Sequence, residues 1–297
     1  MEQRKLNLDL AESISQLKYT LKDFEVKTKK YNIFFRGKSF DFDGYRPYTS
    51  EDDVTFIDWR ASARSNRPLV KQYKEEQNIK VLFIIDVSEN MVLGSGKKLK
   101  CECAAEIVLS LSYILASAGN KVGYILYSDK VKEYTVPSRG LNNFYVFSDV
   151  LSNSATYVGG SKLDSAIDFF LDNSDASISA VVLVSDFISF NKNTQHYINL
   201  LANKYETFAF MIKDPLDLTL PDMKGEFVLE DPTSGQQILV EPQVAKRNYE
   251  RQALKQDKFV KEAFKLSAID LLPLLTTEEW VPKVTNFVKG RVENRAV

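Results

Sequence analysis

Apolar residues return every third or fourth position at Leu10, Ile14, Leu17, Leu21 and Phe24, which predicts that the chain opens with an amphipathic helix. A short strand is expected next, around Tyr31 to Phe35. The period then disappears. Residues 36–78 are dense in charge and aromatic rings but keep neither a helical nor a strand repeat. Irregular stretches of that length inside a compact protein are functional or pinned by side chains, and Phe40, Phe42, Tyr45, Phe56, Ile57 and Trp59 could do the pinning. The run Val81 to Ile85 is wholly apolar, as in a strand buried on both faces. An apolar stripe through Ala104, Ile107, Val108, Leu111, Ile114, Leu115 and Ala118 predicts a long helix that Gly119 ends. Val122 to Tyr127 reads as the next strand. Val131 to Val136 reads as one that turns back on it at Asp129 and Lys130, at the sheet edge.

Helices are predicted over 142–151, from Ser161 with Leu163, Ile167, Phe170 and Leu171 inward, and over 191–204. Ile178 to Val184 and Glu206 to Ile212 are strands between them. From Gly225 the pattern is a hairpin turned by Asp231-Pro232 and Ser234-Gly235. A charged helix follows from Pro242 to about Lys265, then a strand from Ile269 to Leu274 and a helix from Glu278 to Arg291, with Thr276 and Glu279 at capping-box spacing. Alternating strands and helices predict an α/β fold, doubly wound, with a mostly parallel sheet and helices on both faces. The implied organisation is an N-terminal helix and irregular segment over 1–78, a core α/β unit over 79–213, and C-terminal hairpin, helix and strand elaborations over 214–297.

Composition narrows the chemistry. The 297 residues carry a net charge of −1, which argues against a dedicated nucleic-acid or membrane-surface binder. Cys101 and Cys103 lie two apart on a predicted helix, pointing to different faces; one is expected buried and one near the surface. With His196 as the single histidine, a zinc site and a Ser-His-Asp mechanism both lack their residues. No run of eighteen apolar residues is present and the first residues lack the apolar core of a secretion signal, so a cytoplasmic protein without membrane insertion is expected.

The candidate chemistry sits where the apolar strands stop. Asp86, Ser88 and Asn90 leave the tip of one strand at two-residue spacing, Asp186 follows the other, and Ser161 lies in a Gly-Gly-Ser turn. Open α/β sheets bind ligands at the carboxyl ends of their strands. Two carboxylates about 4 Å apart repel by roughly 4 kcal/mol at an effective dielectric of about 20. A cation between Asp86 and Asp186 would turn that repulsion into a stabilising term, and oxygen donors suit Mg2+ or Mn2+. A plainer reading stands beside this one. Ser161 with Asp164 three residues on fits a helix cap, and the two acids could cap loops.

Asp86, Ser88, Asn90, Ser161 and Asp186 resemble, in order, the five ligands of the metal-ion-dependent adhesion site of von Willebrand factor A domains, with Asn90 in place of a serine and Ser161 in place of a threonine. Upstream, Phe40-Asp41-Phe42, Tyr45-Arg46, Tyr48, Glu51-Asp52-Asp53, Ile57-Asp58-Trp59 and Ala63-Arg64 resemble the signature of the domain of unknown function 58 family, whose members carry a similar block before a von Willebrand A-like domain. The resemblance implies a von Willebrand factor A-like, Rossmann-like fold, a divalent metal on those five residues, and a partner among MoxR-type AAA+ ATPases or their clients. Without the family, Asp52, Asp53 and Asp58 alternating with Arg46, Arg60 and Arg64 read as paired charges locking the segment in place.

Three functions follow as expectations. The first is a non-enzymatic, metal-dependent protein-interaction module. The second is a metal-free scaffold that binds through the irregular segment or the charged 242–265 helix. The third is a metal-assisted phosphohydrolase with Asp86 as nucleophile. Against the third, Ser88 stands where a second Asp belongs, and the GGSK of 159–162 is too short for a phosphate loop.

Overall fold

The computed structural model describes residues 5–28, 40–49, 57–65, 67–75, 79–175, 177–222, 225–230 and 235–293. Helix α1 (Leu10–Thr28) leads to strand β1 (Phe40–Pro47), helix α2 (Trp59–Ser65) and strand β2 (Leu69–Glu75). The central unit runs β3 (Lys80–Asp86), α3 (Lys100–Ser117), β4 (Lys121–Tyr127), β5 (Val131–Ser138), α4 (Asn142–Ser152), α5 (Leu163–Asn173), β6 (Ala180–Ser185), α6 (Lys192–Lys204) and β7 (Glu206–Lys213). A hairpin of β8 (Phe227–Glu230) and β9 (Gln237–Val240) precedes α7 (Pro242–Leu266), β10 (Asp270–Leu275) and α8 (Trp280–Glu293).

Six strands form one sheet in the order β10-β7-β6-β3-β4-β5, parallel except for β5, which pairs antiparallel with β4. The last segment of the chain therefore completes the sheet through β10. Both edge strands contain a proline, Pro137 in β5 and Pro273 in β10. Alternate residues feed two cores. Val81, Phe83 and Ile85 of β3 join α1, α3, α4 and α8, while Leu82 and Ile84 join α5, α6 and α7. Continuous apolar runs in β3 and β6 follow from this, because both faces are covered. The chain leaves β3 for β4 on one side and later fills β6, β7 and β10 on the other, so the winding reverses at β3 and β6.

Buried acids fix the start of the chain. Glu102 and Glu106 on α3 accept the backbone N–H groups of Asn7 and Asp9 at 2.9 and 2.8 Å. Glu106, with no exposed surface, is also bound by the Lys98 ammonium at 2.5 and 2.7 Å through its two oxygens and by the Trp280 indole at 3.4 Å.

The stretch 36–78 departs from the irregular segment expected. β1 and β2 pair antiparallel with a bulge between Phe42 and Gly44, and α2 lies between them. Asp58 caps α2 by accepting from Arg60 and Ala61 N–H, and takes the Tyr45 hydroxyl at 3.1 Å. Trp59 does not pin this segment, since it is 68% exposed on the first turn of α2. The strand expected at 31–35, the acids Asp52 and Asp53, and the turn residues Asp231 and Pro232 lie outside the described residues. Cys101 and Cys103 are both buried, because α3 is covered by the sheet on one side and by α1 and α4 on the other. The capping pair before α8 also differs. Thr276 donates its hydroxyl to Asp214 at 2.8 Å, and Glu278 rather than Glu279 reaches back, to the Leu275 N–H at 3.3 Å.

Candidate functional site

β3 and β6 are parallel neighbours with Ile85 paired to Val184, so one step further along Asp86 comes level with Ser185. The Asp86 carboxylate is fully buried and accepts four hydrogen bonds. One oxygen takes the Ser88 N–H at 2.9 Å. The other takes the hydroxyls of Ser161 and Ser185, each at 2.7 Å, and of Tyr127 at 3.4 Å. Burial and then the Asp186 charge raise the Asp86 pKa above the usual carboxylate value, against the pull of the Ser161 and Ser185 hydroxyls. The same burial, with Asp86 beside it, pushes the Tyr127 phenol well up.

Ser161 reaches Asp86 because its loop is laced to the strand tip. Val158 N–H donates to the Val87 carbonyl, Glu89 N–H to the Gly159 carbonyl, and Gly159 N–H to the Glu89 carboxylate. Gly159 has φ +86, a left-handed backbone that favours glycine, and a Cβ there would have to displace the Asp129 carboxylate, 2.9 Å away. Ser161 is not the helix cap: α5 begins at Leu163 after Lys162, and the Ser161 hydroxyl is spent on Asp86.

Asp186 faces a different partner. Its carboxylate receives the Lys100 ammonium at 2.7 Å and the Ile188 N–H at 3.0 Å, and Lys100 also donates to Asp217 at 3.1 Å. Burial alone would lower the Lys100 pKa, but the charges of Asp186 and Asp217 outweigh it and hold the ammonium above its ordinary value. The next residue, Phe187, takes φ +54, a left-handed backbone that costs a bulky residue of order 1–3 kcal/mol. Its ring, packed 5.0 Å from that of Phe264, holds it there.

Of the five residues singled out from sequence, Asp86, Ser88 and Ser161 come together. Asp186 lies on the neighbouring strand's exit with its charge met by Lys100. Asn90 is half-buried in the short turn after Ser88. The Ser88 hydroxyl is buried without a hydrogen bond. Among the described residues, no three His, Cys, Asp or Glu side chains are gathered as a metal cluster. Sequence reasoning missed Ser185, Tyr127, Lys100 and Asp217. Strand parity could have found Ser185: the polar residue that ends β6 shares a face with Leu183, as Asp86 does with Ile84. A cavity of about 150 Å³ opens beside this tip, lined by Ser161, Ser185, Phe187, Ser189, Asn191 and Thr194. Val92, Leu93, Val158 and Ile188, all on loops at this end of the sheet, are exposed.

Residues 44–259 match the model of the family described as "Protein of unknown function DUF58". The chain belongs to this family. It is 24% identical over 250 residues to "Uncharacterized protein Rv1480" of Mycobacterium tuberculosis, covering 83% of this chain and 78% of that protein. It is 28% identical over 112 residues to "Uncharacterized protein MAV169" of Mycobacterium avium, covering 37% and 64%. Among solved structures it is similar to BatB, a conserved hypothetical protein from Bacteroides thetaiotaomicron, at TM-score 0.48 and 12% identity over 73% of this chain and 100% of that one. It is also similar to the VWA domain of SpRpn10, at 0.40 and 14% over 72% and 95%. In this DUF58 chain the winding of the sheet itself displays a doubly wound α/β architecture, with Asp86 at the point where the strand order reverses.

Proposed function

We propose that this DUF58 chain is a non-enzymatic interaction module that docks a partner protein on the carboxyl edge of its sheet, around Asp86. The observation that carries the reading is the Ser88 hydroxyl, buried without a partner beside a buried carboxylate. Such a group, lying beside Asp86, leaves a hydroxyl oxygen free to meet a ligand. A Mg2+ or Mn2+ ion fits it through Asp86, Ser88 and Ser161, with Asn90 at the rim, because hard cations take oxygen donors. When bound, the ion supplies a coordination position for a carboxylate of the partner. The chain's own residues do the rest. The Ser161 and Ser185 hydroxyls orient Asp86, and the exposed apolar side chains of Val92, Leu93, Val158 and Ile188 offer contact area around it. The family resemblance supports a MoxR-type AAA+ ATPase or its client as the partner, in the cytoplasm. Titration calorimetry of Mg2+ and Mn2+ against the protein tests the metal; a binding heat absent in Asp86→Ala is expected, and identical traces refute it.

The second reading is docking on the same edge without a metal, favoured by the Lys100 ammonium that already meets the Asp186 charge. Capture of the ATPase on immobilised protein separates the two: loss in chelator supports the first, retention the second.

A further inference from the structure

We infer that the carboxyl edge holds a second cation position, formed by Asp186 and Asp217, and that the chain fills it with its own Lys100. The Lys100 side chain is 0% exposed, Asp186 1% and Asp217 3%, with the ammonium 2.7 and 3.1 Å from the two carboxylates. The two ion pairs account for a lysine at an unfavourable place. Lys100 is the first residue of α3, where the helix dipole disfavours a positive charge, and it is buried, where desolvation disfavours it again. Two acids from separate loops compensate for both penalties. One follows β6; the other closes the turn after β7, where its second oxygen also takes the Asp214 N–H at 2.8 Å. The trio thereby joins α3 to the exits of β6 and β7, and it performs for Asp186 the neutralisation that a dication would otherwise supply.

A consequence rests on the docking reading above: a dication at Asp86 binds a tip whose second acid is withheld, so this edge keeps its shape with or without the ion. Lys213, buried at the end of β7, also lies within the field of Asp186 and Asp217. Removing Lys100 uncovers two buried carboxylates and creates an ion requirement that the native chain lacks.

The test is thermal unfolding of the full chain in chelator, in millimolar Mg2+ and in millimolar Mn2+, for wild type, Lys100→Met and the triple variant Lys100→Met/Asp186→Asn/Asp217→Asn. In chelator, Lys100→Met should unfold about 6 °C or more below wild type, since uncompensated buried charge is strongly destabilising. Mg2+ or Mn2+ should raise its midpoint by several degrees more than it raises wild type. The triple variant should return close to wild type and lose that extra gain. If Lys100→Met does not fold while the triple variant does, the inference also stands. It is overturned if Lys100→Met matches wild type in chelator, if both respond equally to the ions, or if the triple variant is as impaired as the single one. None of these outcomes touches the docking reading, which is judged by calorimetry on Asp86→Ala.

Discussion

Replacing Asp86 separates what this carboxylate does for the fold from what it does for binding. The side chain accepts the Ser88 N–H and three hydroxyls in a site with no exposure. In Asp86→Ala, the Ser88 N–H and the Ser185 and Tyr127 hydroxyls are left buried without their acceptor. Each unsatisfied donor costs about 1–3 kcal/mol, and hydroxyls recover part by turning toward one another, so a net loss of about 3 kcal/mol is expected. In Asp86→Asn the amide oxygen keeps the Ser88 contact, and the hydroxyls rotate to accept from the new NH2. The buried charge is gone as well, and stability should stay within about 1 kcal/mol of wild type. The pH dependence gives a second signature. The folded-state pKa is raised, so the folded chain holds this proton more tightly than the unfolded one. The contribution is fully present below the unfolded carboxylate value and is lost as pH rises through the folded one. Asp86→Asn should remove that downward slope with rising pH. Urea unfolding, followed by tryptophan fluorescence (Trp59 and Trp280) and far-ultraviolet circular dichroism at a series of pH values, reads both effects. Equal destabilisation by Ala and Asn would refute the reasoning, for it would mean that the negative charge itself holds the fold. With the expected result, the fold does not depend on the negative charge at this position.

Glu106→Ala should cost about 2–4 kcal/mol in urea unfolding, because the Asp9 N–H and the Trp280 indole lose a buried acceptor, while the partly exposed Lys98 ammonium keeps its pairing with Asp9 at 3.2 Å. The Cys101 and Cys103 thiols are pushed up to about 12 by burial. At pH 8 neither should react with a thiol reagent in the native protein, while both react after unfolding; fast native labelling would contradict the burial of α3.

The sheet was legible because β3 and β6 must be apolar on both faces and α3 must carry a stripe, and those constraints leave direct marks in sequence. The tip was legible in part, since Asp86, Ser88 and Ser161 converge once β3 and β6 are neighbours. Lys100 and Asp217 were hidden, because their meeting depends on two loops and a helix start that no periodicity records. The same runs draw no attention to the polar residue that ends β6, so Ser185 was passed over although Asp86 takes its hydroxyl. The pairing of β1 with β2 was missed for another reason. Gly44 at its bulge shifts the register and breaks the two-residue alternation that marks a strand.

Both rims of the central sheet carry an imino acid, Pro137 in β5 and Pro273 in β10, and the β4–β5 ladder is further broken by two register shifts. Proline and a broken ladder interrupt the regular extended backbone that a guest polypeptide would need as a template. Growth of this sheet by an added strand, whether from a ligand peptide or from another molecule of the same kind, is therefore disfavoured at either side. Side chains and loops around the sheet can therefore vary without disturbing the ladder beneath them.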